Sequence, residues 1–183
     1  MSDNVYWFQS DVYAQVTAGV IIGPQWAVLI DTLMPEETPE IKSYIEDELM
    51  VPVRYVVNTH HHADHCWGNC IFPNATVIGH ELCRELMLTR SQSALAESSK
   101  ENPLFRSLCI KEPQITIAQG SLFLRIGKKH IKVFATPGHS EDGVSVLLED
   151  DRILFSGDAY MPIPYFVGGD IDVLTNTITE IGN

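Results

Sequence analysis

The stretch Tyr55-Val56-Val57-Asn58-Thr59-His60-His61-His62-Ala63-Asp64-His65 decides how this sequence is read. A short apolar, β-favouring run delivers the chain to four histidines and an aspartate within six positions. On a continuing strand His60, His62 and Asp64 would share one face and His65 would point away, so a turn is needed to recruit them all. Gly68-Asn69 supplies turn chemistry just beyond. Imidazole and carboxylate suit zinc and related divalent ions, and a working site gathers at least three such ligands while leaving a position open for water. One histidine here would read as a solvated loop residue, whereas His60, His62, Asp64 and His65 together, directly after a strand, read as a ligand cluster. His61, between two candidate ligands, is expected to point elsewhere.

Working outward, Val20 to Ile22 and Ala27 to Ile30 flank a Gly23-Pro24 turn and read as a hairpin that ends at Asp31. Ile41, Tyr44, Ile45 and Leu49 recur at helical steps, so Glu36 to Leu49 reads as an amphipathic helix with Pro39 in its first turn. Ala75 to Ile78 reads as a strand and Glu81 to Leu88 as a helix. Thr89 to Pro113 is polar and without a clear period, which predicts a surface excursion, either a cap near a pocket or a plain mobile loop. From Ile115 the pattern turns to strands: Leu122 to Ile126, Ile131 to Phe134, Val144 to Leu148 and Ile153 to Phe155, with turns at Gly127-Lys128 and Asp150-Asp151. Ile171, Leu174, Ile178 and Ile181 then predict a helix capped by Asp170.

Length and composition bound the function. With 183 residues, 45% of them hydrophobic, the chain can bury one sizeable core, and residues 1–183 are expected to form a single domain. Twelve Lys plus Arg against 24 Asp plus Glu give a formal charge of -12, which would repel a phosphate backbone and argues for a small-molecule substrate rather than nucleic acid. The start MSDNVYWFQSDVYAQ lacks a basic then apolar run, and no stretch approaches the ~18 apolar residues of a membrane span, so no membrane partner and a cytoplasmic location are expected. The cysteines Cys66, Cys70, Cys83 and Cys109 show no CXXC spacing and read as reduced thiols. Oligomeric state is not readable from the sequence.

Two later segments repeat the strand-then-ligand pattern: Thr136-Pro137-Gly138-His139-Ser140 and Phe155-Ser156-Gly157-Asp158. With T-H-H-H-A-D-H and its following G-N, these motifs resemble the metallo-β-lactamase superfamily, particularly its glyoxalase II-like hydrolase branch. The resemblance implies an α/β fold of the αββα sandwich type and a first metal held by His60, His62 and His139. It also implies a second metal held by Asp64 and His65, with Asp158 bridging and Asp64 serving in catalysis as a group that orients water or accepts its proton. Zn2+, one or two ions, is the implied cofactor, with Fe2+ or Mn2+ as alternatives. The family's dinuclear site ordinarily takes a further histidine after the bridging aspartate, yet none follows His139. A domain lacking its last strand and helix, incomplete at the C-terminus, is therefore expected.

Several other residues carry two readings each. Asp31 could support a ligand histidine or merely cap a turn. His80 reads as a capping or surface residue, His130 as solvent-exposed, and Cys66 as a buried free thiol. Met161 to Phe166 could wall a substrate pocket or pack in the core. The functions this leaves open are hydrolysis of an ester, thioester, lactone or amide, iron-dependent oxygen chemistry on a persulfide through His60, His139 and Asp158, or metal binding without turnover.

Overall fold

The computed structural model describes residues 4–161, 163–166 and 168–182. Two sheets face each other. The larger has six strands in the order β1 (Val5–Gln9), β2 (Thr17–Ile22), β3 (Ala27–Ile30), β4 (Val53–Val57), β5 (Thr76–His80) and β6 (Ile115–Ile117). Strands β1 to β3 pair antiparallel, and β3 to β6 pair parallel. The smaller sheet is antiparallel throughout, in the order β10 (Ile153–Phe155), β9 (Val144–Leu148), β8 (Lys129–Ala135) and β7 (Ser121–Ile126).

Side-chain alternation on the strands builds two cores from one sheet. Ile21, Val28, Ile30, Val57 and Ile78 point inward and meet Ile131, Val133, Val144, Val146 and Leu148 of the smaller sheet. Their neighbours Val20, Ala27, Leu29, Val56 and Val77 point to the opposite face, where Ile41 and Ile45 cover them. Ile41 belongs to α1 (Thr38–Ser43), and Ile45 to the wider π-helical segment at Tyr44–Glu48 that continues it. The central parallel strands β3 and β5, and the end of β4 at Val56 and Val57, are buried on both faces, which is why they read as near-continuous apolar runs. The fold is thus of the α/β class anticipated above.

The polar stretch after Glu81 departs from the sequence reading. Instead of a loop from Thr89, the chain stays helical through α3 (Glu81–Leu86), a π-helical segment at Met87–Ser91 and α4 (Gln92–Glu101), followed by a 3-10 turn at Pro103–Ser107. Gln92, Ala94, Leu95, Ala96, Glu97 and Lys100 are good helix formers, and a few anchors suffice to hold the segment: Leu95 and Phe105 pack with Met87 and Cys83 against Trp67. With so few apolar positions, the segment gives no periodic signal. The edge strand β1 likewise has no counterpart in the sequence reading, because Tyr6, Trp7 and Phe8 are consecutive aromatics that give no clean polar-apolar alternation, and no residue of the strand is fully buried.

The last described element, α5 (Ile171–Gly182), begins as expected at Asp170, whose Oδ1 accepts from the backbone N–H groups of Asp172 and Val173. It docks on the loop after β8. Gly138 there has φ +140°, and a Cβ would collide with the backbone of Leu174. Thr177 Oγ1 also donates to the Pro137 carbonyl at 2.6 Å. No helix among the described residues is long and apolar enough to cross a membrane.

Candidate metal centre

Four strand ends converge on one edge of the sandwich: β3 ends at Asp31, β4 runs into Asn58 to His65, β8 leads to His139 and β10 to Asp158. The turn that the spacing demanded is a short helix, α2 (Ala63–Cys66), which swings Asp64 and His65 back toward His60. Gly157, at φ +50°, lets the last loop press against Thr59, where a Cβ would strike the hydroxyl.

The histidines meet through their ring nitrogens. His60 Nε2 lies 2.9 Å from His62 Nδ1, which lies 3.2 Å from His139 Nε2. On the other side His65 Nε2 faces Asp158 Oδ1 at 3.4 Å and Asp64 Oδ2 at 3.6 Å, while Asp158 Oδ2 faces His139 Nε2 at 3.5 Å. Asp158 therefore presents one oxygen to each cluster. Two sets have their ligand atoms within 4.8 Å of one another: His60, His62 and His139, and His60, His65 and Asp158. All six residues named from the sequence, His60, His62, Asp64, His65, His139 and Asp158, are brought to this edge. Asp64 stands slightly outside both sets, 3.6 Å from His65.

Hydrogen bonds behind the rings fix which nitrogens carry protons. The carbonyl of Tyr165 can only accept, so His139 Nδ1, 2.6 Å away, is its donor and Nε2 is left as a lone pair. Thr59 Oγ1 donates to Asp31 Oδ2 at 2.6 Å, which makes it an acceptor for His60 Nδ1 at 3.1 Å and frees His60 Nε2 in the same way. Two lone pairs then point at His62 Nδ1, and a proton there can satisfy only one of them. His65 Nε2 is buried and makes no hydrogen bond. A donor set that leaves the inward lone pairs of His60 and His139 unmatched fits a cation, and at His65 the cation would take the place of a proton.

Asp31 holds this arrangement from behind. Its carboxylate accepts from the Thr59 backbone N–H at 2.7 Å, from Thr59 Oγ1 at 2.6 Å and from His65 Nδ1 at 2.8 Å, and its backbone sits at φ +57°. Of the two readings offered for it, support of a ligand histidine is the one the geometry gives. Left-handed backbone in a non-glycine residue is costly, and such strain concentrates at functional sites.

The electrostatics differ across the centre. Burial, reinforced by the surrounding histidines, pushes His60 well below the ordinary imidazole range. Burial and the adjacent His61 bring His62 down to about 4. His65 goes the other way: burial opposes its charge, but Asp31 and Asp158 outweigh it and hold the ring well above the usual value. Burial raises the Asp64 carboxyl, while His65 and His139 overcome burial at Asp158 and lower it.

The remaining sequence candidates fall outside the cluster. His61 Nδ1 lies 3.0 Å from Asp142 Oδ1, a fully buried carboxylate that sequence reasoning passes over because nothing but its nearness to His139 marks it. Cys66 is a buried thiol whose Sγ donates to the His61 carbonyl. His80 caps α3 by accepting from the Leu82 backbone N–H, and His130 is exposed beside Asp150. A cavity of about 530 Å³ opens over His62, His139, Asp64 and Asp158. Met161 and Tyr165 line it, in keeping with one of the two readings of that segment, although Pro162 lies outside the described residues. No described residue of the 89–113 segment lines this cavity.

The chain is 33% identical over 136 residues to a hydroxyacylglutathione hydrolase of Francisella tularensis subsp. novicida, covering 69% of this chain and 43% of that protein. It is 28% identical over 135 residues to a mitochondrial persulfide dioxygenase of Mus musculus, covering 74% of this chain and 43% of the relative. The chain thus spans less than half the length of these curated relatives. Among solved structures, a metallo-beta-lactamase from Pontibacter korlensis superposes with a TM-score of 0.79 at 24% identity, over 99% of this chain and 82% of the other. A metallo-beta-lactamase family protein from Thermus thermophilus gives 0.73 at 22% identity, over 97% and 69%. At such identities these two likenesses speak for the αββα fold alone. The profile of the Metallo-beta-lactamase superfamily matches residues 13–168, which is most of the sequence, and the chain belongs to that superfamily.

Proposed function

We propose that the chain is the metal-dependent core of a hydrolase that directs an activated water at an ester, thioester, lactone or amide of a small molecule. The observation that supports this reading is the convergence of His60 Nε2, His62 Nδ1 and His139 Nε2 beneath the cavity, with tautomers that leave lone pairs facing inward. His60, His62 and His139 would hold one ion, and Asp64 and His65 a second, with Asp158 between them. When bound, a divalent cation, zinc by preference, lowers the pKa of water from its bulk value toward ~7 and polarises a carbonyl.

The chain's own groups do the rest. Asp64 stands on the cavity wall with its carboxyl raised by burial, a setting suited to taking a proton from water. The water oxygen bonds to the carbonyl carbon, the bond to the leaving oxygen, sulfur or nitrogen breaks, and the leaving atom departs with a proton. The products are a carboxylic acid and an alcohol, thiol or amine. Tyr165 and Thr59 keep the His139 and His60 rings turned toward the reacting centre.

A second reading is oxygen chemistry on a persulfide at a single iron. It is favoured by the persulfide dioxygenase relative, and the two-histidine, one-carboxylate set whose ligand atoms lie within 4.8 Å of one another is His60, His65 and Asp158 rather than the His60, His139 and Asp158 expected from the sequence. Metal content measured on the purified chain, with anaerobic assays on a thioester, lactone and β-lactam panel, separates the two. Zinc-loaded protein hydrolysing at least one substrate without oxygen is the expected result. Oxygen consumption by the iron form, with no hydrolysis by either, would overturn the hydrolase reading.

A further inference from the structure

We infer that Cys70 and Cys109 are a redox pair, which a low-molecular-weight disulfide such as glutathione disulfide converts to a reversible intramolecular disulfide. The sequence reads all four cysteines as reduced thiols because none share CXXC spacing, yet the fold brings two of them together. Cys70 lies in the 3-10 turn Trp67–Ile71, and its sulfur meets both the thiol and the backbone N–H of Cys109. Groups other than the sulfurs hold this alignment. Asn69 Nδ2 donates to the Lys111 carbonyl at 2.9 Å, and Lys111 Nζ donates to the carbonyls of Phe72, Pro73 and Ala75 at 2.6, 3.1 and 2.6 Å. Asn69 is fully buried and also donates to Asn58 Oδ1, so the clamp that sets residues 109–111 alongside 69–75 is anchored in the interior. The other two cysteines are engaged elsewhere: both are buried, with Cys66 Sγ on the His61 carbonyl and Cys83 Sγ on Met87 Sδ.

The two thiols divide the work by their surroundings. Cys109 is exposed and Cys70 half-buried, so Cys109 attacks first. The Lys111 ammonium lies close enough to act on both sulfurs, and a neighbouring cation favours the thiolate that such an attack requires. The Cys109 sulfur bonds to one sulfur of glutathione disulfide, the bond between the glutathione sulfurs breaks, and one glutathione leaves and takes up a proton. Cys70 then gives up its proton, its sulfur bonds to that of Cys109, and the second glutathione is displaced. The two cysteines lose two electrons and two protons, and the oxidant is reduced to two thiols. Burial raises the Cys70 thiol, which suits the second step, where nearness makes up for a small thiolate fraction. The product ties the helical excursion of α3 and α4 back to the turn that follows α2.

The test equilibrates the full chain with reduced and oxidised glutathione at a series of ratios, quenches with acid, alkylates the remaining thiols and maps peptides by mass spectrometry. The peptides bearing Cys70 and Cys109 should appear joined, lighter by two hydrogen atoms, and dithiothreitol should separate them. Cys70→Ser should instead keep one glutathione on Cys109, because the displacing thiol is gone, and Cys109→Ser should leave Cys70 largely reduced at the same ratios. The oxidised parent chain should melt roughly 5–15 °C above its reduced form, since the bond closes a loop of about 40 residues, and neither serine variant should show that rise. Glutathione retained on Cys109 of the parent chain without a link to Cys70 would overturn the inference. Links that join Cys66 or Cys83 in place of this pair would do the same, as would an oxidised form that melts no higher than the reduced one.

Discussion

The two candidate ligand clusters share His60 and sit side by side, yet the protein surrounds them in opposite ways. At His60, His62 and His139 the rings are crowded together and burial keeps the first two neutral, so their lone pairs are ready for a cation at ordinary pH. At His65 the carboxylates of Asp31 and Asp158 hold a proton on the ring, and a cation must displace it. The first cluster also brings three imidazoles, the second only His65 of its own beside Asp64 and Asp158. The contrast implies unequal sites: one that fills tightly, and one that fills later and responds to pH.

The largest effect expected from this contrast is on metal stoichiometry. His62→Ala removes the nitrogen that both His60 and His139 face, and should abolish tight binding while leaving secondary structure by circular dichroism unchanged. His65→Ala should leave one tightly held ion. Equal losses in the two variants, measured by metal analysis after dialysis against a weak chelator, would break the distinction between the clusters.

A smaller effect is expected at Asp31. Asn is nearly the same shape and tolerates left-handed backbone, so Asp31→Asn keeps φ +57° accessible while withdrawing the charge that holds His65. Affinity at the second position should fall by about 10–100-fold, the range found when a group behind a ligand histidine is lost, with little change at the first. Competition titration with a chromophoric chelator reads both constants. A variant that binds two ions as the parent does would show that Asp31 only closes the turn.

Much of this centre is legible because its candidate ligands lie in three compact motifs, each directly after a strand, and strand ends at one sheet edge are where such folds collect ligands. The strands themselves announce their faces through runs such as Ala27 to Ile30. The supports are less visible. Asp31 can be suspected from its place after β3, but Thr59, Asp142 and the carbonyl of Tyr165 act through contacts made across 26 to 81 residues of sequence or through the backbone, which side-chain pattern does not encode. The helical run to Glu101 escapes the sequence for a different reason. Its stability rests on Leu95 and Phe105 meeting Met87 and Trp67, so tertiary packing overrides a weak local signal.

The finest test of the contrast is the acid side of the stability curve of the metal-free chain. His60 and His62 have folded pKa values below 6.5, so between about 6.5 and 4 the unfolded chain binds protons that the folded one refuses. Stability therefore falls on acidification through that window. His65 contributes with the opposite sign, because its raised value stabilises the fold below 6.5 and is lost only as pH climbs through the folded value, so it is level across the window. The lowered Asp142 and Asp158 carboxyls lose their contribution only below 3.8. Raised Asp64 opposes the trend slightly at the acidic end, where the unfolded carboxyl binds its proton only at lower pH than the folded one. The Tm of chelator-treated protein should drop by several degrees across this interval, at about 2–4 °C per kcal/mol for a chain of this size. His62→Gln, which cannot take up a proton in either state, should make the slope shallower. A slope unchanged in that variant would mean that His62 takes up its proton in the folded protein as freely as in the unfolded chain, and its part in the electrostatic difference between the two clusters would disappear with it.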